Sequence, residues 1–198
     1  MRPAHEIEKL KKIPLGPVFS AKDAKKVGLS PALLSYYAKG GRLQKVSRGV
    51  YLHPHYKPKL DLNREELVLT AKSIPNGVIC MISALDLYRL TDEIPRQHWI
   101  AIPNSQMAPR RPHTKIVRTR DMRLGKTTIR IGSEVVPIFN RERTIVDAFR
   151  LLSIETALKA LKAGVKAGGS EKLDLPKLQE YARRLRKPIE PYLTSITA

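Results

Sequence analysis

The chain has 198 residues, 42% of them hydrophobic, which is enough apolar content to bury a core and excludes global disorder. Its 37 lysines and arginines against 18 acids give a net charge of +19. That balance points to a polyanionic partner, nucleic acid ahead of an anionic membrane surface. The single cysteine, Cys80, excludes an intramolecular disulfide and a cysteine metal cluster, and within VICMI it reads as a small buried hydrophobe. The N-terminus carries charges where a signal peptide needs an apolar stretch, and no apolar run nears the roughly 18 residues of a membrane span. The expected location is the cytoplasm.

Residues 5–12 place Ile7 and Leu10 three apart among charges, which predicts one short amphipathic helix. IPLGP then breaks it. Ser20 is a good N-cap with Asp23 completing a capping box, Ala21, Ala24 and Val27 share a face, and Gly28 supplies the stop. Ser30-Pro31 opens the next helix with a cap and a first-turn proline. Its spacing turns Leu34, Tyr37 and Ala38 inward and Pro31, Ala32, Ser35, Tyr36 and Lys39 outward. Gly40-Gly41 ends that helix. The alternation over 42–46 and 47–52 then predicts a hairpin turning at Ser47, Arg48 and Gly49.

Three small helices and a basic hairpin are the parts of a winged helix-turn-helix, expected over residues 1–60. That stretch holds 13 lysines and arginines against three acids. In such a motif the N-terminal part of the third helix lies deepest in the major groove, about 12 Å wide, so Ala32, Ser35 and Tyr36 are the expected base readers. Lys39, Arg42, Lys45 and Arg48 would lie along phosphates, Arg48 near the wing tip within reach of a minor groove. Lys22 and Lys25 would meet the backbone from the preceding helix. The competing reading puts both Tyr36 and Tyr37 in the core of a protein-docking winged helix, which needs no basic wing.

HPHYKPKLDLN, 53–63, is the candidate linker. His53 and His55 lie two apart without a further ligand nearby, so they read as a linker pair rather than a metal site. A mixed α/β domain is expected over 61–198. It begins with a helix carrying Leu67, Leu69, Ala71 and Ile74 and ended by Pro75-Asn76-Gly77. A buried helix in VICMISALDLYRL follows, then a strand over 99–102 and a basic loop over 104–113. Strands over 115–119, 127–131 and 134–139 come next. A helix capped by Asn140 runs through Leu152, and another capped by Ser153 buries Ile154, Ala157, Leu158, Leu161 and Val165. The final helix, over 174–187, turns Leu178, Tyr181, Ala182 and Leu185 inward. The fold class is therefore α+β: an N-terminal winged helix-turn-helix, then a small sheet with C-terminal helices.

The acids of the second domain (Asp86, Asp92, Glu93, Asp121, Glu134, Glu142 and Asp147) are scattered and form no close strand-borne pair of the kind a metal nuclease needs. Asp147 reads as a residue near a helix N-terminus, where a carboxylate opposes the dipole. Ser83 lacks a recognisable His and Asp, and His98 and His113 are isolated. Gly125-Lys126-Thr127 resembles the end of a phosphate loop, but its upstream glycine is missing. No catalytic residue, cofactor or metal is expected. The alternatives are a nuclease using the second domain and a stand-alone winged-helix regulator. Lys159, Lys162 and Lys166, together with Arg183, Arg184 and Arg186, form a second basic surface. It is either a solvated face or a contact for nucleic acid or an acidic protein.

The succession VFSAKDAKKVGLSPALLSYYAKGGRLQKVSRGVYLHP, ISALDLYRLTDEIPRQHWIAIP and RTIVDAF, within residues 13–152, resembles the AbiEi-type antitoxins of bacterial abortive-infection toxin–antitoxin pairs. The resemblance implies an N-terminal domain that binds double-stranded operator repeats in its own promoter and represses it. It also implies a C-terminal domain that opposes a nucleotidyltransferase-like toxin without a stable complex. The matching DNA-facing positions are Ser35, Tyr36, Lys39, Arg42, Lys45 and Arg48. Ser35-Tyr36 departs from the family, where arginines are frequent, so fewer phosphate contacts and a different operator are implied.

Overall fold

The structure is a computed structural model that describes residues 4–13, 16–57 and 60–197. It packs as two compact units, Met1–Pro75 with Arg130–Glu134, and Asn76–Ile129 with Val135–Ala198.

In the first unit a 3-10 helix, Ala4–Lys12, replaces the α-helix expected from the Ile7 and Leu10 spacing. Leu10 is buried, whereas the side chain of Ile7 lies outside the described residues, as do positions 14 and 15 of IPLGP. Strand β1 (Val18–Ser20) was not anticipated, because three residues carry no readable alternation. The cap predicted at Ser20 then starts α1 (Ala21–Lys26). Ser20 Oγ accepts the Asp23 amide at 3.2 Å, and Asp23 Oδ2 accepts the Ser20 amide at 3.2 Å, so both halves of the capping box form. Gly28 at φ +83 takes the chain out of α1 and into α2 (Pro31–Lys39). Strands β2 (Lys45–Ser47) and β3 (Val50–Leu52) are shorter than the alternation implied. Their register shifts between Lys45 and Ser47, inside the ladder.

The three-stranded sheet has the order β1-β3-β2, all antiparallel. Phe19 stacks on Tyr51 across β1 and β3, centroids 5.8 Å apart. Leu10, Phe19, Ala24, Leu29, Leu33, Leu34, Tyr37, Leu43 and Tyr51 form the core. Helix α3 (Leu62–Ser73), capped by Asp61, packs on β1 and β2. It therefore stands with the N-terminal elements, where the sequence reading counted residues 61–75 with the second domain.

The second unit is a five-stranded sheet with helices, a mixed α+β arrangement. Its strands are β4 (Val78–Ile79), β5 (His98–Pro103), β6 (Thr114–Thr119), β7 (Lys126–Ile131) and β8 (Glu134–Phe139), in the order β6-β5-β4-β8-β7. β5 runs parallel to β6 and antiparallel to β4, and β4 runs parallel to β8. The helices are α4 (Met81–Leu87), α5 (Arg141–Leu151), α6 (Ile154–Lys166), α7 (Leu175–Arg184) and α8 (Glu190–Thr197). Helix α5 is central, packing against α4, α6 and α7. The caps expected at Asn140, Ser153 and Asp174 each accept a first-turn amide.

Three expectations need correction. The last helix is α8, because α7 stops at Arg184 and Pro188 separates them. Ile154 is 48% exposed, and α6 buries Ala160 and Gly164 besides the expected Ala157 and Leu161, the alanines and the glycine letting it approach α5. Asp147 lies in the interior of α5 rather than near its N-terminus, so basic side chains and not the helix dipole balance it.

Candidate nucleic-acid interface

Helix α2 divides its residues sharply. Ser30 Oγ accepts the Leu33 amide at 3.2 Å and Pro31 occupies the first turn, which fixes the helix start. Leu33, Leu34 and Tyr37 are buried, while Ala32, Ser35, Tyr36 and Lys39 are exposed. Tyr36 is 59% exposed and Tyr37 only 1%, so the reading that buries both tyrosines fails. Their rings lie 5.7 Å apart at 60°. A concavity of about 340 Å³ opens between Tyr36, Tyr37, Lys39, Gly40 and Arg42, where α2 meets the hairpin.

Backbone hydrogen bonds set that junction. The Arg42 and Leu43 amides both donate to the Tyr37 carbonyl, at 2.9 and 3.2 Å, and Gly41 takes φ +70 between helix and strand. At the far end of the hairpin Gly49 has φ +72, and its carbonyl accepts the Ala21 amide at 2.8 Å. The turn that carries Arg48 is thereby tied to the start of α1. Lys22, Lys25, Lys39, Arg42, Lys45 and Arg48 are all exposed, and among the described residues none of the six is ion-paired. Lys26 differs, being held by Asp23 at 3.0 Å. Six exposed, unpaired cations leave this small unit strongly positive.

His53 and His55 are not the linker pair expected, because His53 is not solvated. His53 is buried against Phe19, and its Nδ1 accepts the His55 amide at 3.3 Å. Burial pushes the His53 pKa below its ordinary value, with the charge of His55 acting the same way and the Leu10 and Ile13 carbonyls opposing it.

Most of the remaining sequence candidates lie in the second unit, Glu134 in the first. Ser83 Oγ accepts the Trp99 amide at 2.9 Å, which clasps α4 to β5. Cys80 is fully buried, and burial followed by the charge of Asp147 pushes its thiol well above the usual range. Glu134 is paired with Lys72. Asp147 is held by Arg143 at 2.7 Å and Arg150 at 2.5 Å. Among the described residues, no three His, Cys, Asp or Glu side chains converge to hold a metal ion.

The second basic surface is divided. Lys159, on α6, pairs with Glu155 at 2.7 Å, and Lys162 and Lys166 are exposed on the same helix. Arg183 is exposed at the end of α7. Arg184 and Arg186 instead join Arg118, Arg120 and Arg150 around a cavity of about 540 Å³. Those last three carry no joint signal in the sequence, because RTR at 118–120 and Arg150 lie far apart until the fold gathers them. The sequence reading also passed over Arg143, although the four-residue step from Arg143 to Asp147 and the three-residue step to Arg150 were a visible signal.

The chain is an α+β protein whose N-terminal unit carries an exposed helix face followed by a basic hairpin. Residues 15–54 match the family described as transcriptional regulator, AbiEi antitoxin. The match lies within the 13–152 stretch that carries the sequence resemblance, and it contains α1, α2 and the hairpin. The family is one of regulatory antitoxins, and the match covers 40 of the 198 residues. No curated protein matches the chain. Among the described residues, no helix is long and apolar enough to cross a membrane.

Proposed function

We propose that the chain is a DNA-binding repressor of its own operon that acts as antitoxin to a nucleotidyltransferase-like toxin encoded beside it. Residues 1–60 are the winged helix-turn-helix. Helix α2 enters the major groove with Ala32, Ser35 and Tyr36 toward base edges, and the β2–β3 hairpin is the wing. Lys39, Arg42, Lys45 and Arg48 lie along phosphates from the helix end to the wing tip, and Lys22 and Lys25 meet the backbone from α1. Residues 61–198 supply the antitoxin activity without a stable complex with the toxin.

The observation that carries this reading is the exposed, unpaired cation series beside an exposed Ser35-Tyr36 face. The family matched over 15–54 supports the same role. Six phosphate contacts give a salt slope near −5, since each contributes about −0.9 on duplex DNA. In promoter binding measured against salt concentration, Lys39→Ala and Arg48→Ala should each weaken affinity and lower the slope by about one unit. Unchanged affinity in both variants, or binding that ignores salt, refutes the interface. Tyr36→Ala should instead alter discrimination between operator and scrambled duplex, by about 1–3 kcal/mol. Co-expression with the adjacent gene tests the antitoxin half: the full chain, and Lys39→Ala, should both restore growth.

A further inference from the structure

The cavity of the second unit lies among the end of β6, the last turn of α5 and the end of α7. Five arginines line it (Arg118, Arg120, Arg150, Arg184 and Arg186) against two acids, Asp121 and Asp147. Both acids are already engaged. Asp147 lies between the fully buried Arg143 and Arg150. Asp121 Oδ1 accepts the Arg123 and Leu124 amides at 2.9 Å each, and its other oxygen lies 3.6 Å from Arg184. These carboxylates therefore orient Arg150 and Arg184 without neutralising the cavity. Among the described residues Arg118, Arg120 and Arg186 have no ion pair at all.

We propose that this cavity binds a nucleoside phosphate, its phosphoryl group on Arg118, Arg120 and Arg186 and its base against the apolar wall beside them. Guanidinium forks match oxyanions two oxygens at a time, and several arginines without acidic partners suit a phosphoryl group, whose three oxygens and higher charge occupy more of them than one carboxylate does. The wall is Val117, Leu185 and Leu151, the last 53% exposed at the rim, and Asn104 offers an amide that can both donate to and accept from a base edge. A volume of about 540 Å³ falls within the range of small-molecule sites and would leave inorganic phosphate loosely held. The concavity also excludes the convex side of a duplex, admitting a free mononucleotide or the phosphorylated end of a strand.

Two lining residues hold unusual backbone: Met81 at φ +47 and Arg186 at φ +54. Arg186 follows the end of α7, a position where glycine is the common choice. An arginine kept there carries a conformational cost that a guanidinium in use would explain.

Titration calorimetry on the full chain, with AMP, GMP, ATP and GTP, inorganic phosphate, and a trinucleotide with and without a 5′-phosphate, tests the assignment. A nucleotide should bind with a Kd below about 1 mM and at least about tenfold tighter than inorganic phosphate. Arg118→Ala and Arg120→Ala, both at exposed positions, should each weaken it about tenfold or more, as expected for a lost charged hydrogen bond. Lys39→Ala should leave it unchanged, which separates the site from general attraction to a cationic protein. Tight binding of the 5′-phosphorylated trinucleotide alone would identify a strand end as the source of the same chemistry. Three results overturn the proposal: no probe saturating below that limit, inorganic phosphate binding as tightly as nucleotides, or equal losses in Lys39→Ala and the arginine variants. The operator assay is independent, so the cavity and the repressor reading can fail separately.

Discussion

Arg143 illustrates how much one buried side chain can organise. Its guanidinium is fully buried, stacks over Phe139 with 4.4 Å to the ring centroid, and donates to the Asp121 and Leu124 carbonyls at 3.1 and 3.0 Å. It also donates to Thr119 Oγ1 at 3.2 Å and Asp147 Oδ2 at 2.7 Å. One residue thus fixes the β6–β7 connection onto α5. Arg143→Ala removes all of these bonds and leaves Asp147 with Arg150 alone, so urea denaturation should show a loss of about 3–5 kcal/mol. His53 makes a pH prediction of known sign. Its folded pKa lies below the 6.5 of a free imidazole, so the unfolded chain binds the proton first as pH falls. The stability it contributes is complete above pH 6.5 and drains as pH drops toward the folded value. Urea midpoints should fall between pH 7.5 and 5.5 (roughly either side of the imidazole range), and His53→Gln should flatten that fall.

At the scale of elements, caps and close approaches decide. Ser20→Ala opens the capping box of a six-residue helix and should cost about 1 kcal/mol. Operator affinity should fall with it, because α1 carries Lys22 and Lys25. Gly164 lets α6 approach α5: a Cβ there would stand 3.0 Å from Ile145 Cδ1 and 3.4 Å from Leu173 Cδ2. Gly164→Val should overpack that contact by about 1–3 kcal/mol, readable in thermal denaturation of the second unit. Arg186→Gly runs the other way. It relieves a left-handed arginine and should raise stability by about 1 kcal/mol while weakening nucleotide binding. These elements were unequally legible. Capped helices such as α2 and α5 announce both ends in side chains, whereas β1 is three residues long and becomes a strand only because β3 lies alongside it.

Across the whole molecule, charge produces two opposed trends. A net +19 repels itself, so raising salt from 50 to 200 mM should raise the melting temperature. Over the same range promoter affinity should fall by about three orders of magnitude, given six phosphate contacts. Parallel salt series in calorimetry and anisotropy would show whether both hold. The division of the chain depends on packing at the same scale. Helix α3 buries Leu67, Val68 and Ala71 and packs on β1 and β2, a partnership that the prolines at 54 and 58 gave no hint of.

What the sequence determined by itself is whatever a local rule can carry: the caps at Ser20, Ser30, Asn140 and Ser153, the outward face of α2, the glycine turns of the hairpin, and the excess of cations in the first sixty residues. Each follows from a spacing of three or four residues, or from a backbone angle that glycine takes most easily. Tertiary structure alone decided that α3 packs on β1 and β2, and that five arginines from β6, α5 and the end of α7 surround one cavity. Those groupings join residues far apart in the chain. A periodicity reports which face of one element is apolar, not which other element will cover it.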